Sequence, residues 1–160
     1  MTASDTIEML GALEGRGIAV WLDGGWGIDA LLGEQTRPHE DVDLVVGIED
    51  VPALITELGN RGFHLAEGRP RSNFVLTDAN HRKVDVHPVA FDDEGNGHYT
   101  MENDEIWIYP GDGFAGTGNV GAKSVRCLTP EVQVLCHKGY ELDEDDVRDL
   151  EALHARFGVG

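Results

Sequence analysis

The spacing of apolar residues changes from a helical to a strand pattern within the first fifty positions of the chain. Over residues 5–16 apolar side chains recur every three or four positions, with Ser4 or Asp5 placed to cap the first turn, so we predict an amphipathic helix. Three segments then predict a strand, a turn leading into a short helix, and a second strand: IAVWLD, GGWGIDALLG and DVDLVVG.

The remaining pattern predicts a helix, more strands and a helical end. A helix is predicted over EDVPALITELGNRG, and three strands over FHLAEG, SNFVLTD and RKVDVHPVAF. The tract from DDEGNG to GNVGAK is rich in Gly, Asp and Asn, so we predict loops around one short strand, EIWIYP. A last strand, VRCL, precedes a helix capped by Thr129 and a final helix from about Asp143 to Phe157.

These elements predict an α/β (α+β) fold, in which a mixed β-sheet is flanked by helices and further helices form the C-terminal end. A chain of 160 residues is long enough for one domain with a core and too short for two comfortable ones. We therefore predict a single domain over residues 1–160. The two cysteines, Cys127 and Cys136, are expected to be buried thiols in a reducing compartment.

The chain is strongly acidic, with 30 Asp and Glu residues against 12 Lys and Arg residues and a formal net charge of -18. This charge repels the phosphates of DNA and RNA, so no nucleic-acid partner is expected, and it attracts small cations and amines. A role in solubility explains the same charge without any ligand. The sequence has no leader-like segment and no apolar run near the roughly 20 residues of a membrane helix, so we expect a cytoplasmic protein without a membrane partner.

Two aspartates interrupt the second predicted strand one residue apart. Because side chains alternate along a strand, Asp41 and Asp43 point to the same face. Two carboxylates this close repel each other, and a bound cation such as Mg²⁺ relieves that repulsion. An exposed edge strand or a helix cap is the alternative explanation for the pair.

A third acidic residue interrupts another apolar strand, KVDVHPV. Asp85 and His87 share one face of this strand, and Asp85 is the best candidate for a third carboxylate near the pair. Earlier in the chain, Gly24 and Gly25 stand between a strand and a helix, where backbone N–H groups at a helix start can bind a phosphate. A tight turn alone also explains these two glycines.

Three blocks of the sequence resemble a known enzyme family. They are WLDGGWGIDALLGEQTRPHEDVDL, VDVHPV followed by FDDEGNG, and VQVLCHKGYELDEDDVRDLEAL. Together they resemble the lincosamide nucleotidyltransferases and, more distantly, the aminoglycoside 2''-nucleotidyltransferases, which are small antibiotic-modifying members of the polymerase-β-like nucleotidyltransferase superfamily. The resemblance covers most of the chain, and its first block is the most specific.

The resemblance implies the polymerase-β-like fold and the transfer of a nucleoside monophosphate, usually AMP from ATP, onto a hydroxyl of an antibiotic, with resistance as the result. Asp41 and Asp43 match the metal-binding pair, and Asp85 matches the third carboxylate, as a metal ligand or as the acceptor of the hydroxyl proton. Two Mg²⁺ ions roughly 3.5 to 4 Å apart would stabilise the attacking and leaving oxygens. A lincosamide is the first expected acceptor, and a homodimer is possible.

Five further residues receive roles as hypotheses. Gly24 and Gly25 would hold the triphosphate through their backbone amides. Arg37 would meet a phosphate oxygen, with a surface arginine as the alternative, and Lys138 would do the same from the C-terminal helices unless it is simply solvated. His87 would line the acceptor pocket or serve as a hydrogen-bonded residue at the strand end.

Three other functions stay open. One is an aminoglycoside nucleotidyltransferase, which the acidic charge favours because aminoglycosides are polycations. Another is a catalytically idle module of the same fold that binds a nucleotide or a protein partner, and the third is a housekeeping enzyme that acts on an unknown metabolite. Three clustered carboxylates argue against the idle module, because an idle scaffold has no need to keep groups that repel each other.

Overall fold

The computed structural model describes residues 1–160. The five α-helices are α1 (Ala3–Gly15), α2 (Gly24–Leu32), α3 (Val51–Gly59), α4 (Pro130–Cys136) and α5 (Glu144–Phe157). The nine strands are β1 (Val20–Asp23), β2 (Asp41–Gly47), β3 (His64–Gly68), β4 (Phe74–Thr77), β5 (Lys83–Phe91), β6 (Gly97–Thr100), β7 (Ile106–Tyr109), β8 (Thr117–Val120) and β9 (Lys123–Arg126). Two 3-10 turns lie at Ile48–Asp50 and Gly111–Ala115.

Seven strands form one mixed sheet. Its order is β1-β2-β5-β4-β3, with β6 paired to the end of β5 and β7 paired to β6. Strands β2 and β5 are parallel, while the other neighbouring pairs of this sheet are antiparallel. Strands β8 and β9 form a separate antiparallel pair. The mixed sheet and its helices confirm the predicted fold class.

The core forms where the helices bury their apolar residues against this sheet. Leu13 of α1 and Leu54 and Leu58 of α3 are fully buried, as are Leu22 of β1 and Leu44 of β2. All five belong to one cluster of 22 buried residues. The helical spacing in the sequence therefore selects the residues that fix α1 and α3 to the sheet, since burial of apolar surface is the main stabilising contribution.

Helix α1 begins earlier than predicted, and its N-cap is Thr2 rather than Ser4 or Asp5. The Asp5 N–H donates to Thr2 Oγ1 at 3.1 Å, and the Thr2 N–H donates to the Asp5 carboxylate at 2.9 Å. Asp5 is thus the third helical residue and closes a capping box. The prediction was wrong here because Thr, Ser and Asp are all good N-cap residues and stand close together at this end.

The glycine-rich tract contains more regular structure than predicted. Instead of loops around one strand, it forms the antiparallel pair β6 and β7, a 3-10 turn, and β8. Gly97 shows why composition misleads here, because a Cβ at this position would lie 2.9 Å from the Phe114 ring. This glycine marks a close packing contact within a strand rather than a loop.

The C-terminal elements follow the prediction closely. Thr129 is the N-cap residue of α4, although its side chain makes no capping hydrogen bond. Helix α5 ends at Phe157 as predicted, and the Asp143 side chain caps it by accepting from two backbone N–H groups. None of the five helices combines the length and the apolar character that a membrane crossing requires.

Candidate active site

Polar side chains of β2 and β5 meet where these two strands run parallel. Asp43 lies opposite Asp85, and His87 follows two residues later on the same face of β5. One ligand atom from each of these three residues lies within 4.8 Å of the other two. Asp41 is half-buried like Asp43, as strand alternation predicts, but it is not part of this close group. The structure therefore brings Asp43, Asp85 and His87 together, and Asp41 lies two residues before Asp43 along β2.

Burial and charge shift the pKa values of this group. Burial raises the pKa of Asp85 to about 6. The effect of burial, together with that of the nearby carboxylates, outweighs the lowering effect of His87. Burial and then the Asp43 charge also raise the pKa of Asp41. Burial lowers the pKa of His87, but Asp43 and Asp85 raise it more, to about 9. His87 is thus protonated at neutral pH and provides positive charge beside the carboxylates.

The donor atoms of this group fit a divalent cation. Oδ1 of Asp85 is buried and has no hydrogen-bond partner. The nearest cationic group, His87 Nε2, lies 3.8 Å away and is beyond hydrogen-bond distance, so a ligand that reaches this oxygen would stabilise it. Asp43 offers a second carboxylate at ligand distance from it. Oxygen ligands of this kind are the ones that Mg²⁺ prefers.

The two glycines at the start of α2 allow the side chains of the site to approach the backbone closely. Gly24 has a φ of +57°, and a Cβ there would lie 2.5 Å from Oδ2 of Asp43. A Cβ at Gly25 would lie 2.5 Å from Nδ1 of His39 and 2.9 Å from Nη2 of Arg37. Any other residue type would therefore displace Asp43, His39 or Arg37, which is the close approach that glycine permits.

Arg37 is held in an ion-pair network with helix α5. Its Nη2 lies 2.8 Å from Asp149 and its Nη1 lies 3.5 Å from Asp145. The side chain of Arg37 is 18% exposed and that of Asp149 is 3% exposed, so this arginine is not a freely solvated one. The guanidinium of Arg37 already binds two carboxylates, so a phosphate oxygen would have to share it with them. The predicted contact between Arg37 and a phosphate oxygen stays a prediction.

Two cavities lie at this site, one lined by Asp41 and Asp43 and the other by His87. The first, which we call the glycine-turn cavity, has a volume of about 380 Å³ and is lined in part by Gly24, Gly25, Asp41, Asp43 and Arg37. The second, which we call the aromatic cavity, has a volume of about 540 Å³ and is lined in part by His87, Tyr99, Trp107, Glu102 and Lys138.

The division between the cavities separates residues that the sequence grouped together. Gly24, Gly25 and Arg37 line the glycine-turn cavity, whereas Lys138 lines the aromatic cavity with His87. The hypothesis that Lys138 binds the nucleotide therefore has no support from its position. His87 lines the aromatic cavity two residues after Asp85, and its role in an acceptor pocket stays a prediction.

A comparison with known families decides the class of protein to which this site belongs. The family model for aminoglycoside-2''-adenylyltransferase matches residues 5–153. The chain belongs to the aminoglycoside-2''-adenylyltransferase family. Membership confirms the predicted enzyme class, nucleotidyltransferase.

Relatives of this family member include enzymes for two kinds of antibiotic. A lincosamide resistance protein of Staphylococcus haemolyticus is 30% identical over 155 residues, which cover 96% of this chain and 94% of the relative. A 2''-aminoglycoside nucleotidyltransferase of Klebsiella pneumoniae is 40% identical over 57 residues, which cover 34% of this chain and 32% of the relative. The resemblance seen in the sequence is thereby confirmed.

Solved structures agree with this family assignment. The crystal structure of the lincosamide antibiotic adenylyltransferase LnuA with lincomycin bound has a TM-score of 0.86 and 28% identity, and the match covers 97% of this chain and 98% of that one. The structure of ANT(2")-Ia in complex with adenylyl-2"-tobramycin has a TM-score of 0.76 and 21% identity, covering 96% of this chain and 87% of that one. The second match shows a shared fold.

Sequence reasoning missed two polar residues of this family member's site. Asp23 ends β1, lies opposite Asp43 and lines both cavities. His39 is buried, and its Nε2 lies 2.5 Å from a carboxylate oxygen of Asp29. An acidic residue that ends the apolar strand VWLD directly before two glycines was the available signal for Asp23. No local pattern pairs His39 with Asp29, because the contact depends on how α2 packs.

Proposed function

We propose that the protein transfers AMP from ATP to a hydroxyl of a lincosamide antibiotic, and that this modification confers resistance. The observation that carries the proposal is the pairing of Asp43, which lines the glycine-turn cavity, with Asp85, whose Oδ1 is buried and has no hydrogen-bond partner. His87, two residues after Asp85, lines the aromatic cavity. Such an arrangement suits a reaction in which a metal-bound triphosphate meets a hydroxylated acceptor. The family and its lincosamide relatives support the same reaction.

Asp43 and Asp85 would hold Mg²⁺ together, and Asp41 would add a further ligand from the glycine-turn cavity. When bound, Mg²⁺ neutralises charge on the triphosphate and on the leaving pyrophosphate. The short distance between the carboxylates of Asp43 and Asp85 supports this assignment, whereas the protonated His87 beside them would not bind the ion. The predicted number of two ions stays a prediction.

The triphosphate would occupy the glycine-turn cavity, with its phosphates near Gly24 and Gly25. Support comes from the start of α2 at these glycines. The Gly24 N–H is taken by the Asp23 carboxylate, so the following backbone N–H groups and the helix dipole would favour the phosphates. The acidic residues that also line this cavity, such as Asp41 and Asp43, would repel a free triphosphate. Nucleotide binding is therefore expected to require the divalent cation.

The reaction would move one proton from the acceptor hydroxyl to Asp85. The hydroxyl oxygen forms a bond to the α-phosphorus, the bond from that phosphorus to the bridging oxygen of pyrophosphate breaks, and the hydroxyl proton passes to the carboxylate. A pKa of about 6 leaves Asp85 ionised at neutral pH and basic enough to accept this proton. Asp85 would thus act as a metal ligand and as the general base through different oxygens.

The lining of the aromatic cavity favours a lincosamide as the acceptor. Its walls include the rings of Tyr99, Trp107 and Tyr109, which suit a partly apolar molecule. Its charged side chains are two carboxylates, Asp23 and Glu102, and two basic groups, His87 and Lys138, so neither sign dominates. A lincosamide combines a hydroxylated sugar with a single basic amine, whereas a polycation needs several unpaired carboxylates.

An aminoglycoside acceptor is the second candidate. Two observations favour it: the family model is described by the aminoglycoside reaction, and the net charge of -18 attracts polycations. The charge acts over the whole surface, however, while the acceptor is selected inside the cavity. We therefore rank the aminoglycoside below the lincosamide.

The test is pyrophosphate release from ATP and Mg²⁺ with equal concentrations of lincomycin and kanamycin. We expect release that depends on lincomycin, with little or none for kanamycin. Asp43→Asn should abolish it, while Asp93→Asn, at an exposed acidic residue outside both cavities, should leave it unchanged. Release that occurs with kanamycin but not with lincomycin would show that the acceptor is an aminoglycoside. No release with either antibiotic would favour the idle binding module.

A further inference from the structure

The two cavities touch at one acidic side chain. Asp23 and Cys136 are the two residues that line both the glycine-turn cavity and the aromatic cavity. Asp23 is also the cross-strand partner of Asp43 in the β1–β2 pair. A group at this position lies where a nucleotide in one cavity and an acceptor in the other would meet.

The Asp23 carboxylate is buried and has one strong hydrogen-bond donor in the protein. Asp23 is 7% exposed. Its Oδ1 accepts a hydrogen bond from the Gly24 N–H at 2.8 Å, which makes Asp23 the N-cap of α2. The Cys136 thiol is its other hydrogen-bonding neighbour, and a thiol is a weak donor. The carboxylate therefore keeps room to accept a stronger hydrogen bond from a ligand at the boundary between the cavities.

Helix capping does not require a carboxylate at this position. Asn and Ser cap helices about as well as Asp does, because one side-chain oxygen is enough. A buried carboxylate here faces the charge of Asp43 and loses contact with water, both of which are unfavourable for its ionised form. An uncharged cap would avoid both effects, so capping alone leaves the acidic side chain unexplained.

We propose that Asp23 positions the acceptor: its Oδ2 accepts a hydrogen bond from a hydroxyl or ammonium group of the antibiotic at the boundary between the two cavities. This inference rests on the proposed nucleotidyl transfer. Oδ1 keeps its bond to the Gly24 N–H, so the same side chain fixes the glycine turn under the nucleotide and one donor group of the acceptor. Asp23 thereby sets the distance between the two substrates.

Two substitutions separate this role from capping. Asp23→Asn keeps the cap through Oδ1 but replaces Oδ2 with an NH₂ group, which donates and cannot accept. Asp23→Ser keeps the cap and removes the second oxygen altogether. We expect both variants to raise the KM for lincomycin by about tenfold or more, as the loss of one charge-assisted hydrogen bond implies. The KM for ATP should change less than about twofold.

The controls test folding and the nucleotide side independently. Thermal unfolding with and without MgATP should show that both variants fold and gain the same stabilisation from the nucleotide as the wild type does. Thr2→Asn changes the N-cap of α1, a residue that lines neither cavity, and should leave both KM values unchanged. Loss of kcat and of ATP stabilisation in the Asp23 variants would instead indicate a distorted glycine turn and would overturn the positioning role.

The outcomes for the two proposals differ. If the wild type modifies lincomycin and both Asp23 variants keep its KM, Asp23 is a helix cap alone, and the proposed function stands without this inference. If the wild type modifies neither lincomycin nor kanamycin, the proposed function fails and this inference fails with it. A selective rise in the KM for the acceptor in both variants supports the positioning role.

Discussion

Asp43 owes its position in the site to the absence of a side chain at Gly24. A Cβ there would overlap Oδ2 of Asp43, and the φ of +57° is strained for any residue with a Cβ. We predict that Gly24→Ala lowers the free energy of unfolding by more than about 1 kcal/mol. It should also lower kcat/KM for lincomycin by about 100-fold, because Asp43 must move. Urea unfolding and steady-state kinetics measure the two effects.

Gly11 provides the matched control for this substitution. It lies inside α1, and a Cβ there would contact nothing within 4 Å. Gly11→Ala should therefore stabilise the protein by about 0.5 to 1 kcal/mol, since alanine favours a helix interior, and leave the kinetics unchanged. Equal kinetics for the two alanine variants would show that the close approach of Asp43 to Gly24 is not needed for activity.

The stability of the metal-free protein should depend on the charge of His87. Its pKa rises from 6.5 to about 9 on folding, so its contribution is fully present below pH 6.5 and is lost as the pH rises through 9. We predict that the urea midpoint in EDTA falls between pH 6.5 and 8.5. His87→Gln should flatten this part of the profile. An unchanged pH dependence in this variant would contradict the assignment of the charge to His87.

Asp85 also makes the folded protein less stable as the pH rises, but in a lower pH range than His87. Its pKa rises from 3.8 to about 6 on folding, so the folded state favours the protonated acid, and stability is lost as the pH rises from about 4 to about 6. The two windows do not overlap, so the effect of His87 can be followed separately from that of the carboxyl groups. Asp41, whose pKa is also raised, contributes in the lower window together with Asp85.

At the scale of single residues, the sequence predicts faces and strand ends but not cross-strand neighbours. Alternation in DVDLVVG correctly predicts one face for Asp41 and Asp43. The parallel register that sets Asp43 opposite Asp85 depends on how two strands about forty residues apart align, which no local pattern encodes. For the same reason the sequence did not separate Asp41 from the close group of Asp43, Asp85 and His87.

At the scale of elements, one buried ion pair ties helix α5 to the loop before β2. Arg37 and Asp149 lie 112 residues apart in the chain and form two hydrogen bonds, at 2.8 and 3.4 Å. We predict that Asp149→Ala destabilises the protein by about 3 to 5 kcal/mol, because it leaves a largely buried guanidinium without its main partner. Urea unfolding at pH 7 measures this change.

A neighbouring pair on the same helix is the control. Arg148 and Asp145 form an exposed bridge at 2.8 Å, with both side chains at least 50% exposed. Arg148→Ala should change the free energy of unfolding by no more than about 0.5 kcal/mol, since water screens such pairs. If Asp149→Ala were equally mild, Arg37 would not depend on α5 for its position, and its predicted role at a phosphate would become more plausible.

The predictability of an element follows from how its pattern is interrupted. Strand β2 was predicted with its observed limits, Asp41–Gly47, because apolar residues alternate with the two aspartates and a glycine closes the run. Strands β6 and β8 were missed because GHYT and TGNV carry Gly, Asn and Thr, which favour loops by composition. Their pairing with β5, β7 and β9 makes them strands, and pairing is a tertiary property.

At the scale of the whole molecule, the charge of -18 should speed the arrival of a cationic acceptor. We predict that kcat/KM for lincomycin falls severalfold between 20 and 300 mM salt, values that span Debye lengths of about 20 to 6 Å. The KM for MgATP should respond less or in the opposite direction. Equal responses for both substrates would show that the surface charge acts on solubility rather than on acceptor encounter.

Two predictions about the whole molecule stay predictions. One is the single domain over residues 1–160, which a single cooperative unfolding transition would support. The other is the homodimer that the resemblance allows, and sedimentation at working concentration would decide it. The sheet that joins β1 to β7 gives the first prediction its physical basis, because one element cannot unfold without exposing its neighbours.

The central claim is that a nucleoside monophosphate, and not a terminal phosphate, passes to the acceptor. The most direct measurement is to incubate the protein with Mg²⁺ and lincomycin in two reactions, one with ATP labelled at the α-phosphorus and one with ATP labelled at the γ-phosphorus. The account predicts that the α label moves into lincomycin and that the γ label appears in pyrophosphate. Transfer of the γ label to lincomycin, or release of the α label as free AMP without modified antibiotic, would contradict it.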